Sequence, residues 1–152
     1  MSVSRLTQED LPAVWTIEQT LVGPWTEGQL REELTIGHGW QFVARDHVGA
    51  VCGYLFGSTV LDEAEIHKIA VAESCRRQGV ATLMLNATCR HLTCQQVTSC
   101  FLELRASNLP ALSLYQKNGF ELIGLRKCYY TLPTEDAMIL KRSFIHDQET
   151  AP

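Results

Sequence analysis

The sequence lacks any long apolar segment. It has no run of about 18 consecutive apolar residues, the length that a membrane-spanning helix needs, and no charged-then-apolar start of the kind that marks a secretory signal. Its composition is that of an ordinary globular chain, with 45% hydrophobic and 20% charged residues. We therefore expect a single cytoplasmic domain over residues 1–145 without a membrane partner, followed by a flexible polar tail over residues 146–152.

Two common phosphate-binding motifs are also missing. The chain contains neither a G-x-x-x-x-G-K-[ST] loop nor a G-x-G-x-x-G turn, which argues against a P-loop protein and against a dinucleotide fold. Positive charge is not in excess either, because 13 basic residues stand against 17 acidic ones for a formal net charge of −4. A weakly acidic chain is a poor candidate for direct nucleic-acid binding, so we expect no nucleic-acid partner.

Metal-binding patterns are absent from the cysteines and histidines. The six cysteines, at positions 52, 75, 89, 94, 100 and 128, include no C-x-x-C pair, and no histidine lies at a zinc-site interval from them. We expect no metal and reduced thiols. Cys52 and Cys100 lie in apolar runs, and for most of the six we expect the role of a small buried hydrophobic residue.

Hydrophobic periodicity predicts strands and helices in the order of an α+β or mixed α/β layer. Capping signals place helix starts after Thr7, Thr26 and Asn108, and a fourth helix follows Gly79. Strands are expected over residues 3–6, 40–45, 49–59, 63–71, 98–105, 121–132 and 137–142.

The most informative segment is a basic, glycine-containing loop, residues 76–81, between an apolar strand and a helix. A helix start presents unpaired backbone N–H groups and the positive end of the helix dipole, which suits a pyrophosphate. Gly79 lets the backbone approach a ligand without a Cβ, and Arg76 and Arg77 add donors for phosphate oxygens. The pattern indicates a phosphorylated cofactor of unspecified kind, although a basic surface loop that caps a helix would look the same.

Six segments together resemble a known family. The loop reads R-x-x-G-x-A, residues 101–108 read F-L-E-L-R-A-S-N, and residues 111–120 read A-L-S-L-Y-Q-K-N-G-F. Residues 24–27 read P-W-T-E, residues 126–130 read R-K-C-Y-Y, and residues 135–140 read E-D-A-M-I-L. In this order they resemble the GNAT N-acetyltransferases, and among these the RimI branch, over nearly the whole chain.

The resemblance implies a fold and a reaction. The fold is the GNAT fold, an α/β (α+β) domain with a central mixed, mostly antiparallel sheet of about seven strands flanked by about four helices. The reaction is acetyl transfer from acetyl-CoA, as co-substrate, to the N-terminal α-amino group of a protein. The type member of the branch acts on the N-terminal alanine of a small-subunit ribosomal protein, so the implied partner is a protein N-terminal peptide.

The same resemblance implies three groups of acetyl-CoA-binding residues. Ile69, Ala70 and Val71 would offer backbone groups to the pantetheine amides where their strand splays from its neighbour, although by pattern alone they are core. Asn108 would contact the cofactor and also fits a helix N-cap. The loop and first helical turn would hold the pyrophosphate through Arg76, Arg77, Gln78, Gly79, Val80, Ala81 and Thr82.

Two residues are candidates for acid–base chemistry. Strand alternation places Glu103 opposite the apolar Leu102 and Leu104, and a carboxylate in such a strand is uncommon unless it faces a wet cleft or a cation such as Arg105. Tyr115, on the last predicted helix, could be a core tyrosine or a proton donor to a thiolate. The resemblance implies that Glu103 is the base, acting directly or through a water, and that Tyr115 is the acid.

The substrate residues implied by the resemblance are Trp25, Glu27, Tyr129 and Tyr130, and both tyrosines also fit ordinary strand positions. Cys128 stands where the family usually has Asn, which leaves substrate details in that strand open. A backbone N–H is the expected oxyanion donor. Two other functions remain: acetylation of a small amine such as a polyamine or aminoglycoside, and a non-catalytic acetyl-CoA-binding module. The peptide-branch motifs count against the first, and Glu103 and Tyr115 count against the second.

Overall fold

The structure of the protein, a computed structural model, describes residues 1–144. The predicted tail over residues 146–152 lies outside the described residues. Within residues 1–144 no helix is long and apolar enough to cross a membrane. The elements are β1 (Ser2–Arg5), α1 (Leu11–Glu18), α2 (Glu27–Thr35), β2 (Gly39–Arg45), β3 (Val51–Val60), β4 (Glu63–Val71), α3 (Val80–Cys94), β5 (Ser99–Arg105), α4 (Leu109–Lys117), β6 (Glu121–Tyr130) and β7 (Glu135–Ser143).

The seven strands form one mixed sheet in the order β1-β2-β3-β4-β5-β7-β6. β4 and β5 run parallel, whereas the β1–β2, β2–β3, β5–β7 and β6–β7 pairs are antiparallel. The last two strands exchange places, so that β7 lies beside β5 and β6 lies at the edge of the sheet. This mixed, mostly antiparallel sheet and its four α-helices confirm the predicted fold class.

The chain divides into two compact units. The first comprises Met1–Ser58 and Ile66–Thr88, and the second comprises Thr59–Glu65 and the chain from Cys89 onward. The cut passes through β4 and through α3, which both contribute residues to each unit. The single domain over residues 1–145 stays a prediction.

A hydrophobic core in the first unit joins α1 and α2 to β2, β3 and β4. The α1 residues recur at helical spacing, so that one face of the helix is buried. The buried members of this core are Leu6, Leu11, Val14, Ile17, Leu30, Val43, Tyr54, Phe56 and Ala70.

The start of α2 has the predicted capping box. The Thr26 Oγ1 accepts a hydrogen bond from the Gln29 N–H at 3.1 Å, and the Gln29 side-chain oxygen accepts one from the Thr26 N–H at 2.8 Å. The prediction for the first helix was less accurate, because a 3-10 turn (Gln8–Asp10) follows Thr7 and α1 begins only at Leu11. Asp10 accepts the Thr7 N–H at 2.9 Å and pairs with Arg45.

The cysteine prediction holds for half of the set. Cys52, Cys89 and Cys100 are buried and all six thiols are free. Cys94 and Cys128 are exposed instead, so a buried apolar role for most of the cysteines was wrong. Cys94 is the last residue of α3, and the α3 residues that are buried recur earlier along the helix.

The second unit is organised around β5. Its burial alternates as predicted, with Leu102 and Leu104 buried and Glu103 and Arg105 only partly so. β5 pairs with β7 along its whole length and with β4 over Glu63–Glu65. The Arg142 guanidinium on β7 donates to the Asn118 carbonyl at 2.8 Å, which ties the end of α4 to the sheet.

We predict that Gly57→Ala destabilises the first unit. Gly57 faces Trp40 across the β2–β3 pair, and a Cβ added at Gly57 would overlap the Trp40 indole. Overpacking of this kind lowers the free energy of unfolding by about 1–3 kcal/mol. Denaturant-induced unfolding of the variant and the wild type measures this difference in the free energy of unfolding.

The matched control is Gly28→Ala, in α2. A Cβ at Gly28 lies 3.8 Å from the Thr26 side chain, an ordinary contact, and alanine favours the helix by about 0.5–1 kcal/mol over glycine. Equal unfolding midpoints for the two variants would contradict the packing argument.

Candidate active site

The start of α3 leaves backbone N–H groups without helical partners. Its first helical hydrogen bond runs from the Leu83 N–H to the Gly79 carbonyl at 3.0 Å, so the N–H groups of Val80, Ala81 and Thr82 have no partner within the helix. Gly79 has a φ of +78°, and a Cβ there would meet nothing within 4 Å. The left-handed backbone and the open space both favour glycine at the position where a phosphate would approach.

The loop before α3 is fixed by its own side chains. Arg76 Nε donates to the Val71 carbonyl and Gln78 Nε2 to the Ser74 carbonyl, each at 3.3 Å. Arg77 adopts a φ of +63°, and the side chains at 76–78 are exposed. The guanidinium groups are therefore available at the surface. The Val71 carbonyl, which the resemblance offers to the cofactor, is engaged by Arg76.

The strand that precedes this loop is only partly core. Ala70 is buried, whereas Ile69 and Val71 are intermediate. Asn108, the other residue assigned to the cofactor, lies in the second unit, and its side-chain oxygen accepts the Ala111 N–H at 3.3 Å. It is therefore the N-cap of α4, as predicted.

Glu103 has two partners on β6. The Arg126 Nη1 lies 3.3 Å from its Oε1, and the interaction of the Tyr129 hydroxyl with the Glu103 carboxylate, followed by burial, raises the pKa of Tyr129. The Arg126 guanidinium also lies 4.9 Å from the centre of the Tyr129 ring. The expected alternative partner, Arg105, pairs with Glu135 instead, at 3.7 Å. Glu103 thus faces a small polar cluster while staying 19% exposed.

A kink in β6 brings these partners to Glu103. The β6–β7 register shifts between Arg126 and Tyr130, and Cys128 within the shift has a φ of +51°. Its N–H donates to the Asp136 Oδ1 at 2.8 Å, a bond that lowers the pKa of Asp136. Asn tolerates the left-handed region better than Cys does, which is a physical reason for the family's usual residue at position 128.

Arg105 and Glu135 hold the connection between β6 and β7. Arg105 Nη1 donates to the Pro133 carbonyl at 2.9 Å, and its guanidinium lies 4.5 Å from the centre of the Tyr130 ring. Glu135 accepts the Ser107 N–H at 2.7 Å. Burial, followed by the charge of Glu103, raises the pKa of Tyr130 to about 12. The sequence analysis quoted Glu135 and Ser107 only as motif letters and predicted no role for either.

Tyr115 is buried with an unengaged hydroxyl. The side chain is 6% exposed, and its ring meets Phe120 edge-on at 5.8 Å. Within residues 1–144 the hydroxyl has no hydrogen-bond partner, and since no fully buried side-chain oxygen in that range lacks one, the hydroxyl oxygen reaches solvent. Burial, followed by the nearby Tyr130 phenol, raises the pKa of Tyr115 above its usual value, so the group carries its proton at neutral pH and can act only as a donor.

Trp25 and Glu27 lie in the first unit and differ in their surroundings. Glu27 forms an exposed ion pair with Arg31 at 2.8 Å. The ring centre of Trp25 lies 5.9 Å from that of Phe56. The backbone N–H of Trp25 donates to the Glu18 carboxylate at 2.7 Å. Glu18 is 0% exposed. The sequence analysis gave Glu18 no role, because its partners Tyr54 and Lys68 lie far along the chain and no local pattern reveals them.

Each unit carries its own candidate groups. The second unit supplies a partly exposed carboxylate and a protonated phenol, and the first supplies exposed arginines beside the start of α3. Among residues 1–144 no three His, Cys, Asp or Glu side chains gather in a group that could hold a metal. Proton transfer by side chains is the chemistry that the described groups can perform.

Comparison with known proteins assigns the family. The chain matches the Acetyltransferase (GNAT) family over residues 2–120. It is 34% identical over 149 residues to the ribosomal protein bS18-alanine N-acetyltransferase of Salmonella typhimurium, covering 91% of this chain and 95% of that one. The corresponding Escherichia coli enzyme is 33% identical over 142 residues, with the same coverage. The crystal structure of the ribosomal-protein-S18-alanine N-acetyltransferase from Escherichia coli superposes with a TM-score of 0.87 at 32% identity, covering 97% of each chain. The chain therefore belongs to the GNAT acetyltransferase family and, within it, to the RimI type.

Proposed function

We propose that this protein transfers the acetyl group of acetyl-CoA to the α-amine of the N-terminal alanine of ribosomal protein bS18, in the cytoplasm. The observation that carries the proposal is its identity of about one third, over nine tenths of its length, to enzymes named for that reaction. The groups around Glu103 and Tyr115 support it, because they are the two side-chain types that the transfer needs.

The start of α3 is the proposed acetyl-CoA pyrophosphate site. Acetyl-CoA supplies an activated thioester and a thiolate leaving group. The N–H groups of Val80, Ala81 and Thr82 would bind phosphate oxygens, with Arg76 and Arg77 as charged donors. The open space in front of Gly79 is what the approach of a phosphate requires. Ile69, Ala70 and Asn108 are proposed further contacts.

Glu103 is the proposed base. An α-ammonium group must lose a proton before its nitrogen can attack, and a carboxylate can take that proton directly or through one water. The ion pair with Arg126 does not prevent this role, because the guanidinium side is 54% exposed and exposed ion pairs contribute only about 0–1 kcal/mol. The substrate ammonium can therefore replace Arg126 at the carboxylate at little cost.

Tyr115 is the proposed acid. Its raised pKa keeps the hydroxyl protonated until a thiolate develops, and a group that is not already bonded can turn toward that sulfur. A backbone N–H is proposed to stabilise the oxyanion. Tyr129, Tyr130, Trp25 and Glu27 are the proposed peptide contacts.

The proposed function is tested with three acceptors. The first is a peptide that carries the N-terminal residues of bS18 with a free alanine α-amine, the second is the same peptide with that amine blocked, and the third is spermidine. Mass spectrometry after incubation with acetyl-CoA should show one acetyl group on the free peptide only. Efficient acetylation of spermidine with an inert peptide would support the small-amine alternative, and binding of acetyl-CoA without any transfer would support the non-catalytic one.

We predict that Gly79→Asp weakens acetyl-CoA binding. The change adds a negative charge where the pyrophosphate is proposed to lie, so the dissociation constant should rise about tenfold or more, at least about 1.4 kcal/mol of binding free energy. Isothermal titration calorimetry measures it. Gly79→Asn is the control, since it has the same size without the charge and tolerates the positive φ. Equal affinities for the two variants would contradict the pyrophosphate placement.

We predict that Glu103→Gln lowers kcat with the peptide by about 10²–10⁴-fold, the usual cost of losing a positioned base. The difference in kcat between the wild type and Glu103→Gln should become smaller as the pH rises past the α-amine pKa of about 8, because more of the amine is then already neutral. Steady-state assays from neutral to alkaline pH measure both effects. Glu121→Gln, an exposed site on β6, should behave as wild type. Near-normal turnover of Glu103→Gln at neutral pH would make Glu103 a structural partner of Arg126.

We predict that Tyr115→Phe lowers turnover while stability and acetyl-CoA affinity hold. The hydroxyl has no partner within the described chain, so its loss should change the free energy of unfolding by less than about 0.5 kcal/mol. Tyr54→Phe is the matched control, because the Tyr54 hydroxyl donates to Glu18 at 2.6 Å and its loss should cost about 1–3 kcal/mol. Thermal melts measure the stability of both variants, and steady-state assays measure their turnover. Full activity of Tyr115→Phe would exclude the acid role.

A further inference from the structure

The buried carboxylate of Glu18 organises four parts of the first unit. Glu18 is the last residue of α1 and is fully buried. Its Oε1 accepts the Tyr54 hydroxyl of β3 at 2.6 Å, and its Oε2 accepts the Trp25 N–H at 2.7 Å. The Lys68 Nζ of β4 lies 3.2 Å from the same Oε2. Both carboxylate oxygens are thus satisfied, as an ionised group in the interior requires.

Lys68 holds the Trp25 side chain as well as the carboxylate. Its ammonium lies 4.9 Å from the centre of the Trp25 ring, within the range of a cation–π contact. The Trp25 ring also packs against Phe56, with the two ring centres 5.9 Å apart. Trp25 is therefore fixed twice, through its backbone N–H by Glu18 and through its ring by Lys68.

A buried ion pair is weak evidence of a stability role. Desolvation of the two charges offsets much of their attraction, and apolar replacements of such pairs are often neutral or stabilising. What this pair determines is geometry, since it fixes one side chain that lies between α1 and α2 on a segment without regular structure. Lys68 also directly precedes Ile69 on β4, so the strand proposed to contact acetyl-CoA carries the group that orients Trp25.

We propose that Glu18 and Lys68 are positioning residues for the acceptor peptide, which hold Trp25 in the orientation that receives it. This inference rests on the proposed function, in which Trp25 contacts the incoming N-terminus. The effect of disturbing the pair should appear in the peptide parameters rather than in acetyl-CoA binding. A structural role would lower stability and leave the kinetic parameters of the folded fraction unchanged.

The test is Lys68→Met, which keeps an unbranched apolar stem and removes the charge. We expect kcat/KM for the peptide to fall about 10- to 100-fold, the scale of a small misplacement of a substrate contact, with the acetyl-CoA dissociation constant within about twofold of wild type. Lys68→Arg should restore most of the loss. Lys141→Met is the matched control, because Lys141 is also a strand lysine over a ring, 5.6 Å from the centre of Phe101.

Two further measurements keep the inference falsifiable. If Lys68→Met alone fails to fold, the double variant Glu18→Gln with Lys68→Met is used instead, because it removes both charges of the pair. Its kcat/KM for the peptide should fall by the amount expected for Lys68→Met. The protein has three tryptophans, and in 5-fluorotryptophan-labelled protein Trp25→Phe assigns the Trp25 fluorine resonance. Lys68→Met should shift that resonance and leave the other two in place.

The outcomes separate this inference from the proposed function. A wild-type protein that leaves the peptide unmodified overturns the proposed function and the inference with it. A wild-type protein that acetylates the peptide, with unchanged peptide kcat/KM in Lys68→Met, overturns the inference alone. An unmoved Trp25 resonance, or an equal loss of acetyl-CoA affinity, also overturns it.

Discussion

Backbone N–H groups that have no partner in a helix or in a strand ladder must find other acceptors, and in this protein carboxylates supply many of them. Glu18 accepts the Trp25 N–H, Glu135 accepts the Ser107 N–H and Asp136 accepts the Cys128 N–H. Each of these bonds fixes a segment that carries or adjoins a candidate site residue. A hydrogen bond to a charged acceptor is about twice as strong as a neutral one, so a single side chain can hold an irregular segment that has no ladder of its own.

The acidic excess of the chain therefore has a structural meaning that composition does not reveal. Carboxylates in the interior and at its edge need counter-ions, and three of the basic residues beside Glu18, Glu135 and Glu103 have a second contact with an aromatic ring. Lys68 lies over Trp25, Arg105 over Tyr130 and Arg126 over Tyr129. All three rings belong to proposed peptide contacts. The pairing of carboxylate, cation and ring thus orients large side chains at positions where hydrophobic packing alone would leave them free to rotate.

The sequence predicted the fold better than the site. Helices and strands follow from patterns among neighbouring residues, whereas the site depends on contacts between residues far apart along the chain. Alternation in β5 and capping at Thr26 and Asn108 are local, and both were confirmed. The partner of Glu103 is not local: alternation fixed the face on which it lies, but only the edge position of β6 and its kink at Cys128 bring Arg126 there. The resemblance to the family identifies the motif residues, whereas the contacts among them depend on how β5, β6 and β7 pair in the folded chain.

The two buried tyrosines show how this distinction bears on function. Tyr54 and Tyr115 are both buried, and burial raises the pKa of each. Tyr54 donates to Glu18, as buried hydroxyls normally do. Tyr115 has no hydrogen-bond partner among residues 1–144, and because no fully buried side-chain oxygen there lacks a partner, its hydroxyl oxygen reaches solvent. A protein acceptor therefore accounts for the hydroxyl at position 54 alone, whereas the hydroxyl at position 115 is left to donate to water or, in the proposed reaction, to a sulfur that becomes a thiolate.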